Sequence, residues 1–303
     1  MDVICIDNIS KSFGSLKAVN EVTLNVPQGS IYGFLGPNGA GKTTTIRMIM
    51  NIIRPDSGRI EIFGRPLDAE IKNRISYMPE ERGLYKKMTA SEILFYIGSL
   101  KGLSAAQLKN RIPQWLQRLG LSEKAKKKTE ELSRGLHQKL QFAVCAINEP
   151  DVLILDEPFA GLDPVNLELL TNIIMEMRSA GRTIIFSTHV MHEAERLCDD
   201  IVLINKGRVV VDGRLDDIKS KHSTGTISVQ LDGDIEFIKT LPYVTALNKN
   251  FNKYDIVLKD GSDPQQLLSQ LVGKVKLRSF EIKSPSLHEI FIRLVGADNE
   301  TDS

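Results

Sequence analysis

The chain has 303 residues, 42% of them hydrophobic and 25% charged, and a formal net charge of +1. This is more than one small domain needs and is ordinary for a globular protein, so a main domain with an appendage is expected rather than a disordered or fibrous chain. Near-neutral charge excludes a nucleic-acid binder that works through a general positive field, although it leaves room for a local patch.

Cys5, Cys145 and Cys198 lie far apart with no CxxC spacing, which argues against a zinc site or a disulfide framework and reads as small apolar residues in a reducing compartment. The opening stretch "MDVICIDNIS" has no basic flank or long apolar run, so a secretory signal is not expected. No apolar stretch approaches the ~18 residues that cross a bilayer. "IRMIMNII" (46–53) reads instead as a buried helix, and a cytoplasmic protein is expected whose membrane association comes through a partner.

Through about residue 220, short β-rich segments alternate with helical ones. "GSIYGFLGPNGAGKTTTIRMIMNII" reads as a strand, a glycine-rich turn and a helix. Within it, Gly36, Gly41, Lys42 and Thr43 fit G-x-x-x-x-G-K-[ST] in the strand-to-helix setting that this phosphate loop requires. Glycines let consecutive N–H groups converge on phosphate oxygens. Gly36, Pro37, Asn38, Gly39, Ala40, Gly41, Lys42, Thr43 and Thr44 are therefore the expected nucleotide-binding stretch. Lys42 supplies a mobile charge for the β- and γ-phosphates, and the Thr43 hydroxyl is a ligand for Mg²⁺.

From about 87 to 150 the pattern is mostly helical, with "TASEILFYIGSLKG" and "SAAQLKNRIPQWLQRLG" amphipathic, which reads as a helical subdomain inserted between two parts of a sheet domain. "EKAKKKTEE" (123–131) reads as a solvated loop or helix end. "LSRGLHQKLQ" opens a helix with a serine and a glycine, an anion-binding arrangement with no acid, base or metal ligand beside it.

Two continuous apolar strands follow, the kind covered on both faces of a sheet. "DVLILDEP" places Asp156 at a strand end as the Mg²⁺ partner and leaves Glu157 free to polarise a water for attack on a γ-phosphate. "RTIIFSTH" ends at His189, on the strand edge where open α/β sheets bind ligands, so its imidazole can donate to the γ-phosphate or hold the water. His192 reads as a surface residue. "IVLINKGRVVVDG" is a hairpin turning at Lys206-Gly207.

"KSKHSTGT" (219–226) has a linker's composition. The segments beyond it read as β-α-β-β-α-β, a ferredoxin-like pattern, with one break in strand alternation near Ser279. "SPSLHEIFIRLV" is a closing helix, and a disordered tail is expected from "GADNETDS". The domains expected are thus residues 1–220 and 226–296.

Taken in order, "GPNGAGKTT", "LSRGLHQ", "VLILDEP", "AGLD" and "STH" resemble the nucleotide-binding subunit of an ATP-binding cassette (ABC) transporter over about residues 1–220. The C-terminal segment is similar to an appendage of ATPase subunits of the type-2 (ABC-2) exporter class. The resemblance implies an α/β P-loop ATPase core followed by a small α+β domain, with ATP and Mg²⁺ bound. It also implies a motor on the cytoplasmic face of the membrane, partnered by an integral membrane permease subunit and by a second copy or a homologous ATPase. Ser133 and Gly135 would face the triphosphate held by that second subunit, and Asp163 would contact the opposite site. Phe13 stands where the family stacks an aromatic on adenine, with a core position as its alternative.

This chain departs from the family pattern at two places. Arg134 replaces a signature glycine, and Glu80 takes the place of a glutamine that touches Mg²⁺ and the water, with Glu81 the alternative. A soluble cassette ATPase acting on nucleic acid or ribosomes is the competing function. It is disfavoured by a single cassette without coiled-coil insertions or basic arms, and no nucleic-acid partner is expected. A P-loop kinase leaves Glu157 and the serine-led helix without a role.

Overall fold

The computed structural model describes residues 1–301 apart from positions 82, 224, 234 and 260. The chain divides into two compact units, Met1–Leu215 and Asp216–Ser303.

The first unit begins with β1 (Asp2–Phe13), β2 (Leu16–Pro27), β3 (Ile31–Leu35), α1 (Lys42–Ile49) and β4 (Ser57–Ile62). Next come α2 (Ala69–Arg74), β5 (Ile75–Met78), α3 (Ala90–Leu100), α4 (Ala105–Arg118) and α5 (Arg134–Ala146). The remainder is β6 (Val152–Asp156), α6 (Pro164–Ser179), β7 (Thr183–Thr188), α7 (Met191–Leu197), β8 (Asp200–Asn205), β9 (Arg208–Arg214) and the start of α8 (Leu215–Lys221).

A six-stranded sheet runs in the order β5-β6-β7-β3-β8-β9, parallel except for β9. Its strands β3, β6 and β7 are buried at every position, which is why their sequences are continuous apolar runs and do not alternate. A separate antiparallel sheet, β2-β1-β4, packs through Ile4, Ile6, Val22 and Leu24 into one hydrophobic cluster with Phe34, Ile185 and Val202 of the large sheet. Ile46, Met48 and Ile49 of α1 belong to the same cluster. The helix that begins at the phosphate loop is thereby locked between two sheets.

α1 is shorter than the expected buried helix over 46–53. It stops at Ile49, Asn51 turns left-handed at φ +53°, and Ile52 is 60% exposed. Pro55 follows two residues after Ile53, where a helix cannot easily continue.

In the helical insertion, Thr89 with Glu92 caps α3 and Ser104 with Gln107 caps α4 through reciprocal side-chain bonds. The charged run 123–131 forms two single 3-10 turns, Ser122–Lys124 and Thr129–Glu131. The β8–β9 hairpin turns at Lys206 and Gly207, both with positive φ (46° and 77°), as a two-residue hairpin demands.

The second unit contains β10 (Thr226–Asp232), α9 (Glu236–Lys239), β11 (Val244–Asn250), β12 (Lys253–Leu258), α10 (Pro264–Leu271), β13 (Lys276–Ile282) and α11 (Leu287–Thr301). Its antiparallel sheet has the order β11-β12-β10-β13, the ferredoxin-like arrangement. Ile227, Val229, Leu231, Ile256 and Leu258 of the sheet close on Ile238, Leu267 and Leu271 of the helices. The break in alternation near Ser279 is a bulge: Gln230 pairs with Ser279 but Leu231 pairs with Leu277.

Two expectations are corrected at this end of the chain. α8 continues through Lys221, so the linker composition of 219–226 begins on helical backbone. α11 extends to Thr301, into the tail expected to be disordered, while Asp302 and Ser303 lie outside the described residues.

Candidate functional site

Three neighbouring strands bring the site together. β3 pairs with β7 at Leu35↔Thr188, and β7 pairs with β6 at Ser187↔Asp156. Gly36, His189 and Glu157 therefore leave the same carboxyl edge of the sheet side by side.

The loop after β3 needs its glycines. A Cβ on Gly36 (φ +147°) would lie 2.1 Å from the Ile204 carbonyl oxygen, and one on Gly41 (φ +107°) 2.5 Å from that of Ala18. The tight backbone aims the first turn of α1, with its free N–H groups, at the cleft. Lys42 is 6% exposed and folds over its own loop, Nζ donating to the carbonyls of Gly36 (2.7 Å) and Pro37 (3.0 Å). Burial lowers its pKa from the ordinary lysine value, opposed by the carboxylates of Glu157, Asp156 and Glu80. These groups border a cleft of about 380 Å³ lined by Phe13, Leu16, Ala18, the loop residues Asn38, Gly39, Ala40, Gly41, Lys42, Thr43 and Thr44, and by Glu80 and Glu157.

Asp156 is 1% exposed and fully engaged. Thr43 Oγ1 donates to its Oδ1 at 3.2 Å, Ser187 Oγ donates to the same oxygen, and the Tyr77 hydroxyl reaches Oδ2 at 3.4 Å. Burial, then the Asp156 charge, pushes the Tyr77 hydroxyl up to about 12. Tyr77 therefore stays a neutral donor.

Glu157 adopts φ +50°, a left-handed backbone that glutamate rarely takes. Its N–H donates to Ser187 O and Ser187 Oγ, both at 3.2 Å. Its Oε1 lies 2.9 Å from His189 Nδ1. A carboxylate only accepts, so this contact places a proton on Nδ1 and leaves Nε2 free of this bond.

The remaining predicted residues lie as follows. Phe13 is 49% exposed at the cleft wall and Lys11 Nζ is 5.9 Å from its ring, so the core alternative does not hold. Glu80 is exposed on the cleft, whereas Glu81 pairs loosely with Arg47 (3.8 Å). Ser133 is the exposed N-cap of α5; its side chain accepts a long 3.5 Å bond from Leu136 N and its carbonyl a 2.9 Å bond from His137 N. Neither Ser133 nor Gly135 is among the residues lining the cleft. Arg134 lies against its own chain: a Cβ on Gly161 would meet its Nε at 2.5 Å. Asp163 caps α6 through Asn166, and Lys139 Nζ joins Asn166 Oδ1 at 2.8 Å.

Sequence reasoning assigned no role to Tyr77, Gln138 or Ser187. Ser187 was within reach, standing in "STH" one strand residue before the polar end. Tyr77 and Gln138 act by contacts with residues far along the chain, which no local pattern announces.

Residues 19–160 match the ABC transporter family model, and 213–295 match that of the "ATP-binding protein DrrA1-3-like, C-terminal domain". The ABC transporter ATP-binding protein YhaQ of Bacillus subtilis is 39% identical, the match covering 97% of this chain and 99% of that protein. This chain belongs to the ABC transporter ATP-binding proteins. The Nod factor export ATP-binding protein I of a Rhizobium species is 34% identical over 99% of this chain and all of its own length. The linearmycin resistance ATP-binding protein LnrL of Bacillus subtilis is 31% identical, covering 96% and 97%. A solved ATP-binding subunit of an ABC transporter superposes with a TM-score of 0.68 at 33% identity, over 72% of this chain and 92% of that one. The activity is ATP hydrolysis that powers transport, and the relatives include exporter types. Among the described residues, no helix is long and apolar enough to cross a membrane.

Proposed function

We propose that two copies of this chain, or this chain and a homologous ATPase, close head to tail on two ATP molecules. Each triphosphate lies between Gly36–Thr44 of one subunit and Ser133 and Gly135 of the other. The carrying observation is the N-terminus of α5: an exposed Ser133 and a half-buried Gly135 with anion-binding chemistry, neither of them lining the cleft of their own chain. Phe13 offers its exposed ring to the adenine.

Glu157 takes a proton from water as that water attacks the γ-phosphorus in line, while the bond from phosphorus to the β–γ bridging oxygen breaks and ADP leaves. His189 holds the Glu157 carboxylate through Nδ1–H; Nε2 accepts from the attacking water or, when the ring carries both protons, donates to the γ-phosphate.

The donor set fits Mg²⁺. Thr43 Oγ1 and Asp156 Oδ1 are hard oxygen groups already converged to 3.2 Å that would hold the ion, and Glu80 adds a second carboxylate on the cleft. When bound there, the ion neutralises phosphate charge.

The ATPase then works at the cytoplasmic face of the membrane, moving an export substrate through a separate permease subunit. An apolar groove of about 650 Å³ between α3 and α4, with exposed Phe95 and Tyr96, suits a helix of that subunit.

Mixing Lys42→Ala and Gly135→Leu copies tests the arrangement. Each alone lacks turnover, but a mixed head-to-tail pair contains one site with both parts intact, so mixing restores ATP hydrolysis. No restoration, with subunit exchange shown by differently tagged copies, refutes the shared site.

A further inference from the structure

We propose that Gln138 is a positioning residue for ATP hydrolysis, its buried carboxamide fixing the peptide on the carbonyl side of Glu157 and thereby the aim of that carboxylate. This rests on the reading of Glu157 as the base.

A non-glycine residue at φ +50° is in a sparsely populated conformation that persists only where its surroundings over-determine it. Glu157 is held on both sides. From β7, Ser187 takes its N–H. From α5, Gln138 Nε2 donates to the carbonyls of Glu157 (3.3 Å) and Pro158 (3.0 Å). Gln138 is 2% exposed, and both its partners are carbonyl oxygens, so only the NH₂ end of the amide can face them. One helical turn earlier Arg134 lies over Gly161, so α5 grips the loop after Glu157 at its start and near its end.

Without the Gln138 donor, the carbonyls of Glu157 and Pro158 each lose a partner, and the Glu157 carbonyl is left with the local turn bond from Ala160 N (3.2 Å), which does not tie the peptide to α5. A rotation there displaces the carboxylate, and a misplacement of ~1 Å costs on the order of a hundredfold in rate. Gln138 does not line the cleft, so nucleotide affinity is not its business.

The test uses the full chain. Gln138→Met keeps length and volume while removing both donors. The expected result is a kcat about 10- to 100-fold lower, with the KM for ATP and the Kd of a fluorescent ATP analogue both unchanged and the melting temperature close to the parent's. In a Glu157→Gln background, adding Gln138→Met produces no further loss, because Gln138 acts only through Glu157. If Gln138→Met melts early, Gln138→Asn, which draws the donor back by one methylene, shows the same selective loss of kcat.

A parental kcat in Gln138→Met, kcat and KM worsening together, or a full additional loss in the Glu157→Gln background overturns the proposal. Should Glu157→Gln alone keep its turnover with Gln138 intact, the reading of Glu157 as base fails instead. The two failures are therefore distinguishable.

Discussion

Gly135→Ala separates the pairing of two chains from the folding of one, because the two effects have opposite signs. Within the chain, the added methyl meets nothing closer than 3.7 Å (Leu162 Cδ2) and 3.8 Å (Gly161 O), ordinary van der Waals contact. Gly135 is the second residue of α5 and its φ is not positive, so alanine fits the helix without strain. The substitution removes unfolded-state entropy and should stabilise the chain by about 0.4–1 kcal/mol, raising the melting temperature by a degree or more. Across the proposed interface the same methyl stands where a triphosphate must approach the helix N-terminus. Losing one hydrogen bond to a charged group costs about 1.5–3 kcal/mol, which is roughly 10- to 150-fold per site at 1.4 kcal/mol per decade. A pair has two such sites, so the effects multiply. Thermal melting of the nucleotide-free chain reads the first quantity. Light scattering of Glu157→Gln chains with ATP, with and without Gly135→Ala, reads the second. Undiminished ATP-driven pairing would refute the shared site, and a lowered melting temperature would refute the helical account of Gly135.

Other substitutions probe other parts of the site. Glu157→Gln keeps the side-chain volume and an acceptor for His189 while removing the base. Steady-state hydrolysis should fall by about 10²–10⁴-fold with ATP binding retained, and full turnover would remove Glu157 from the role. Phe13→Ala should weaken ATP binding about tenfold or more through lost stacking, in the ~0.5–1.5 kcal/mol range beyond area burial, whereas Phe13→Tyr should not; equal loss in both, read by titration with a fluorescent analogue, would place the adenine elsewhere. Asp212, on the edge strand β9 and accepting from the Tyr32 hydroxyl, has its pKa raised above 3.8 chiefly by desolvation of its carboxylate. Its folded form holds the proton more tightly, so its contribution to stability is full below that value and is lost as pH rises through the folded pKa. Asp212→Asn should therefore melt at or above the parent at pH 8, with the gap narrowing toward pH 4; a gap that widens on acidification would contradict the raised pKa of Asp212.

The motifs and their strand-to-helix settings were legible because each depends on neighbours in sequence. The Gly36–Thr43 loop needs a strand before it and a helix after it, and the hairpin at Lys206-Gly207 needs two left-handed residues, both local demands. The ferredoxin-like order of the second unit followed from strand and helix succession, and even its bulge showed as broken alternation. Less was visible at the N-terminus, where β1, β2 and β4 form a sheet of their own: the partners of β1 lie on either side of β3 and α1, and nothing local in the sequence states that pairing. The end of α1 was misjudged because apolar periodicity continues through Ile53 while the backbone has already turned at Asn51. The helical run of α11 past the expected end reflects a polar stretch whose composition does not by itself forbid helix.

Sequence alone determined which groups are on offer: a glycine-rich strand-to-helix loop, Asp156 and Glu157 at a strand end and a serine-led helix, each encoded by residue type at fixed spacing. Only the tertiary structure decided how those groups are aimed. Register between β3, β7 and β6 sets Gly36, His189 and Glu157 on one edge, while Ser187 and Tyr77 arrive from distant segments to hold the Asp156 carboxylate and Gln138 to hold the main chain at Glu157 and Pro158. The physical reason is that a side chain's identity fixes what it can donate or accept, while the direction in which it does so is set by contacts between segments far apart in the chain.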